Sequence, residues 1–181
     1  MNNFLRLTSL AATVAALALT ATPAQAQSSV AASPQASAKV KILKGLTLEQ
    51  RDDLDFGTVV LSGPAGFTGA AVSVNNAGSR TCDTTNLTCS DLPSAARYNV
   101  TGSNGSVVNL TIPASVVIDN LVGVGGDTLT VTITGAPTSV TLTNSGAPGN
   151  DFVFGGSISL DSTTPDGDYT GFINVTADYA G

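Results

Sequence analysis

Cys82 and Cys89 are the only cysteines of the chain, and the residues between them include the polar run Asp83-Thr84-Thr85-Asn86. Redox-active pairs use the shorter Cys-x-x-Cys spacing, and no further metal-ligand types lie close by in sequence. A disulfide closing this small loop in an oxidising compartment is the chemistry that the spacing fits. By the loop-entropy model it contributes about 2–3 kcal/mol. The remaining reactive groups are carboxylates. Glu49, Asp52, Asp53 and Asp55 cluster, and Asp55 alone sits inside an apolar run, between Leu54 and Phe56. A glycosidase needs two carboxyls facing across a cleft, one of them in an apolar pocket; solvated turns and strand edges account for this cluster without one. Asp161, Asp166 and Asp168 bracket a turn and offer hard oxygen ligands of the kind calcium takes. Turn chemistry explains Asp166-Gly167 without a metal.

The chain has no His. Ser/His/Asp and Cys/His nucleophilic sites in their usual form, and His-ligated zinc or copper, are therefore excluded. No catalytic residue, cofactor or metal ligand is expected. The formal net charge of −6 becomes −7 without Arg6, and a nucleic-acid partner, which requires a basic stripe, is not expected. The one basic cluster is Lys39, Lys41 and Lys44. On a strand Lys39 and Lys41 share a face, an ordinary solvated or edge-protecting arrangement.

Residues 1–26 read as a secretory signal peptide: Arg6, an apolar run from Leu10 to Leu19, and the small-x-small site Ala24-Gln25-Ala26. The run is too short and too Ala-rich for a permanent membrane span. Export through an inner membrane is expected, leaving a mature chain of about 155 residues from Gln27, a single domain in residues 39–181. Its location is then periplasm, cell surface or medium.

Val, Thr, Ser, Gly and Asn dominate the mature chain, a mixture that suits strands and tight turns. Residues 27–38 form a flexible arm whose even positions, Val30, Ala32, Pro34, Ala36 and Ala38, continue in period two into Val40 and Ile42. The first strand is expected over Lys39–Leu48, then a polar break over Glu49–Asp53, then a buried strand from Leu54 to Leu61. Further strands are expected at Ala70–Val74, at Arg97–Thr101, around Val108, Leu110 and Ile112, and over Val116–Val122. Asp127–Thr134 alternates most cleanly, with Leu129, Val131 and Ile133 opposite four threonines. Phe152 and Phe154, then Ile158 and Leu160, read as two short runs split by Gly155-Gly156. The last strand, Tyr169–Tyr179, places Tyr169, Ile173, Val175, Ala177 and Tyr179 on one face. Short strands punctuated by Gly, Pro and Asn turns predict an all-β, two-sheet antiparallel sandwich.

Three segments carry a family resemblance. Lys41–Leu48 followed by Leu54-Asp55-Phe56-Gly57-Thr58-Val59-Val60 resembles the opening of domain-of-unknown-function family 4402, a family of exported Gram-negative bacterial domains. Tyr98-Asn99-Val100-Thr101-Gly102 and the closing Asp166–Gly171 are similar to it again. The resemblance implies an immunoglobulin-like, pilin-like sandwich related to fimbrial subunits. In such assemblies an incomplete sandwich takes a strand from its neighbour, with help from a periplasmic chaperone and an outer-membrane usher. The family brings no catalytic residues.

The expected function is an exported, non-enzymatic surface subunit that self-associates by strand addition. The candidate strand-addition arm is Val30, Ala32, Ala36, Ala38, Val40 and Ile42, and the candidate chaperone-pairing strand is Tyr169–Tyr179. Small side chains, and Pro34 without an amide hydrogen, make residues 27–38 a partial donor. The alternative is a secreted monomeric β-sandwich that binds a glycan or another cell surface, although the chain has no Trp and three Tyr to stack on sugars.

Overall fold

The computed structural model describes residues 30–31, 33–121 and 126–181. The expected signal peptide, residues 27–29 and Ala32 of the expected arm, and residues 122–125 lie outside the described residues. The chain divides between Val40 and Lys41. In the first unit the described residues are exposed and form no strand. The second unit carries all the strands described below.

Thirteen strands follow one another: β1 (Thr47–Asp52), β2 (Thr58–Leu61), β3 (Ala70–Val74), β4 (Arg80–Cys82), β5 (Leu87–Ser90), β6 (Ala96–Thr101), β7 (Val107–Thr111), β8 (Ser115–Asn120), β9 (Thr128–Thr134), β10 (Ser139–Thr141), β11 (Asn150–Leu160), β12 (Tyr169–Thr170) and β13 (Thr176–Tyr179). Every pairing is antiparallel, and there is no helix among the described residues. The main sheet runs β1-β6-β11-β9-β8-β12, with β3 on β11 and β4 on β3. Two smaller sheets, β10-β7-β13 and β2-β5, complete the set.

Apolar alternation builds two cores. In the first, Ala96, Val100, Phe152 and Phe154 of the main sheet meet Val108 and Leu110 of β7, with Ala177 and Tyr179 of β13 packed alongside. Tyr98 stacks on Phe152 and Phe154 at centroid distances of 5.6 and 5.8 Å. In the second, Ala70, Val72, Val131, Ile158 and Leu160 of the main sheet meet Leu87 of β5, with Val59 of β2 against them. Leu54 and Ile133 touch both cores. One continuous sheet faced by two smaller ones over shared apolar layers is consistent with a β-sandwich.

Four expectations are corrected. The first strand is β1 at Thr47–Asp52, not Lys39–Leu48, and the supposed polar break Glu49–Asp53 lies mostly inside it. β1 is the edge of the main sheet, where one ladder partner suffices and charged side chains are favoured; Asp52 sits opposite Arg97 and pairs with it at 3.2 Å. The run Leu54–Leu61 is interrupted. Asp55 makes an isolated bridge to Ser94, Gly57 takes φ +71° with its amide bonded to Asp55 Oδ1 at 2.7 Å, and the strand begins only at Thr58. Gly155-Gly156 does not split the sheet: β11 is one strand through both. A Cβ on Gly155 would collide with the carbonyl oxygen of Val74, so the glycine serves the close approach of β3. The last strand is also broken. β12 pairs with β8 in the main sheet, residues 171–175 join no ladder, and β13 pairs with β7 in the three-stranded sheet. Its face alternation holds: Tyr169, Ile173, Val175, Ala177 and Tyr179 are half-buried.

Candidate functional site

The layer that faces the main sheet is in two pieces, and an apolar groove of about 1170 Å³ opens where cover is missing. Its floor is the inward face of β8, β9 and β11: Val116, Ile118, Leu129, Val131, Ile158 and Leu160. One wall is Asp53–Leu61, which contains β2; the other is Thr164–Ile173, which contains β12. Val116, Ile118 and Leu129 occupy inward positions of alternating strands, yet they are only half-buried.

The walls expose backbone as well as apolar side chains. β2 has β5 as its one ladder partner among the described residues. After Thr170, opposite Asp119, the β8–β12 ladder stops, and residues 171–175 have no backbone partner among the described residues. Val60, Leu61, Leu121 and Phe172 stand exposed on the rim, Phe172 at 92%. An apolar floor between two unpaired backbone edges is the geometry that an added β-strand completes.

The β2–β5 wall is held from behind. Cys82 at the end of β4 and Cys89 in β5 form the expected disulfide, with Cα atoms 6.5 Å apart. Arg80, which sequence reasoning missed, donates from Nη1 to the carbonyls of Phe56 at 2.8 Å and Ser90 at 2.7 Å. It thereby ties β4 to the residues that lead into β2 and to the end of β5. At the other end of the wall, the amides of Ser62 and Gly63 donate to the Asn86 carbonyl at 2.9 and 2.8 Å. Asp83 organises the β4–β5 turn. The hydrogen bond from the Asn86 side chain, foremost, and that from the Thr85 amide hold its carboxyl below the usual carboxylate range. The Asp-Thr-Thr-Asn run is the local signal for such a turn.

The remaining expected residues are scattered. Val30, Ala36, Ala38, Val40 and Ile42 are exposed and in no strand. Tyr179 is a latch: its hydroxyl donates to the Lys44 carbonyl at 2.6 Å and accepts from the Ser103 amide at 2.7 Å. The Lys44 amide in turn donates to Ser103 Oγ at 2.6 Å. Tyr169, in the groove wall, donates to the Pro165 carbonyl at 2.9 Å. Asp161 Oδ1 accepts from the Gly69 amide at 2.7 Å, and no trio of His, Cys, Asp or Glu among the described residues is placed to hold a metal. Asp55 is exposed and bound to its own turn. Tyr98 also lines the groove. Burial, foremost, and the nearby Asp53 charge push its phenol above the ordinary tyrosine value of 10.0.

Fold and site together define an antiparallel β-domain with an open apolar groove. A family model described as "Domain of unknown function (DUF4402)" matches residues 46–179, and the chain belongs to that family. No curated protein and no solved structure matches it. No helix among the described residues is long and apolar enough to cross a membrane, and the disulfide is compatible with a secreted or periplasmic protein.

Proposed function

We propose that the protein is an exported, non-enzymatic structural subunit of fimbrial type, whose immunoglobulin-like sandwich lacks one strand and takes it from a neighbouring copy. The groove between β2 and residues 164–173 is the observation that carries this reading. An inserted strand gives hydrogen bonds to the free edge of β2 and to the unpaired backbone of residues 171–175. It also covers Val116, Ile118 and Leu129, which are half-buried. Each large apolar side chain delivered to such a floor contributes about 1.5–3 kcal/mol. Ordering each residue of the incoming strand costs about 1–2 kcal/mol. The donor must therefore bring several large side chains and a ladder of backbone bonds. Periplasmic chaperone and usher partners, which keep such grooves covered before assembly, fit the same reading.

The test is the assembly state of the chain from Gln27 onward. Light scattering and unboiled denaturing gels are expected to show a ladder of polymers. A chain that starts at Lys44 is expected to run as a single species with the same strand content by circular dichroism. If the chain from Gln27 is monomeric at every concentration, and stays so with periplasmic extract added, the subunit reading fails.

A further inference from the structure

We infer that the strand entering the groove is the Lys39–Leu43 segment of a second copy, its Val40 and Ile42 facing the apolar floor and its lysines meeting the carboxylates of the rim. This rests on the strand-addition reading above, and it names the donor. Among the described residues of the arm, Lys44 is the first with anchored backbone, held by Tyr179 and Ser103. The described residues N-terminal to it are exposed and in no strand, and Val40 and Ile42 are 83% and 84% exposed. They are the large apolar residues nearest the anchor in period two, so an extended segment puts both on one face and Lys39 and Lys41 on the other. Burial energetics favour them over the alanines upstream. Burying a methyl side chain gains less than the backbone ordering cost of its residue, whereas burying Val or Ile gains more. Length also agrees: five extended residues span about 17 Å, close to the four-residue β2 edge at about 13 Å.

Charge points to the same occupant. All 13 acidic residues of the chain follow Gly45, while Lys39, Lys41 and Lys44, three of its seven basic residues, precede it. Asp53 and Asp55 stand on one wall of the groove, Asp166 and Asp168 on the other; all four are exposed, and none has an ion-pair partner among the described residues. The three lysines are likewise unpaired among the described residues. A basic, apolar-alternating segment and an acidic, apolar groove are complementary, and every copy of the chain carries both. Residues 41–44 do not line the groove of their own copy.

The experiment uses the whole chain from Gln27 in four substitution variants, and a fifth that lacks residues 27–38, read by light scattering over time and by unboiled gels. Val40→Asp with Ile42→Asp is expected to abolish the ladder, and Val30→Asp to leave it unchanged. Lys39→Glu with Lys41→Glu, and separately Asp166→Lys with Asp168→Lys, are each expected to slow assembly at least about tenfold at low salt. Mixing these two charge variants is expected to restore the wild-type rate as alternating polymers, because each then meets a complementary partner. Recovery on mixing also shows that both variants are folded. A ladder that survives Val40→Asp with Ile42→Asp but is lost when residues 27–38 are deleted overturns this donor assignment and leaves strand addition standing. A wild-type chain that stays monomeric overturns both.

Discussion

The two cores are built from the same alternation and end in different states. In the first, Val100, Val108 and Phe154 are fully buried, and Tyr98 caps the layer by stacking on two phenylalanines. In the second, Val72 and Leu87 are as deeply buried, yet Val116, Ile118 and Leu129 on the same inward register are half-exposed. The difference lies in the cover. β10-β7-β13 closes one half of the main sheet; the two-stranded β2-β5 closes only part of the other. Alternation therefore specifies which face of a strand seeks burial, and a separate strand must supply it.

Truncation gives the sharpest contrast between the cores. Phe154→Ala in the closed core is expected to cost about 3–5 kcal/mol, because it leaves an enclosed cavity. Ile118→Ala in the open core is expected to cost only about 1–2 kcal/mol in a single copy, where water already reaches the side chain. Urea unfolding of the chain from Lys44 measures both, and equal losses would mean that the second core is closed after all.

An effect between these two is expected at the wall of the open core. Replacing Cys82 and Cys89 together by Ala removes about 2–3 kcal/mol of chain-entropy stabilisation. It also frees β5, and with it β2, from β4 at one of its two lateral ties, the other being Arg80. The double variant is expected to lower the urea midpoint and to weaken groove occupancy more than the midpoint alone implies; an unchanged midpoint would remove the disulfide from the account.

The smallest effect is a pH dependence. The Tyr98 phenol is raised above 10.0 in the folded state by burial and by Asp53. The folded protein thus holds a proton that the unfolded chain gives up first, so this contribution is present below pH 10 and is lost as pH rises through the folded value. Tyr98→Phe is expected to flatten that alkaline decline in stability, measured by thermal unfolding between about pH 9 and 11.

Much of the fold was legible, for identifiable reasons. β9 could be read outright because four threonines oppose Leu129, Val131 and Ile133 and both faces are used. The disulfide followed from spacing and polarity. The face alternation of Tyr169–Tyr179 was legible, but its passage from one sheet to the other was not, since period two reports faces and is silent about edge partners. β1 was misplaced because an edge strand tolerates Glu49, Arg51 and Asp52, and polarity there resembles a loop. Gly155-Gly156 resembled a break because its cause, the carbonyl of Val74, is 81 positions before Gly155 in sequence. The groove had no local signature at all: it lies between β2 and residues 164–173, segments far apart in sequence that only the fold brings to one place. Arg80 was overlooked for the same reason, since its two partners are carbonyls brought to it by the fold.

Amide hydrogen exchange of residues 59–61 and 171–175 tests the central claim most directly, compared between single copies that start at Lys44 and polymers of the chain from Gln27. Half of the β2 amides and the unpaired amides of residues 171–175 are expected to exchange rapidly in single copies and to become strongly protected in polymers, while Val100 and Val108 stay protected in both. Equal exchange at residues 171–175 in the two states would show that no strand enters the groove, and would contradict the account.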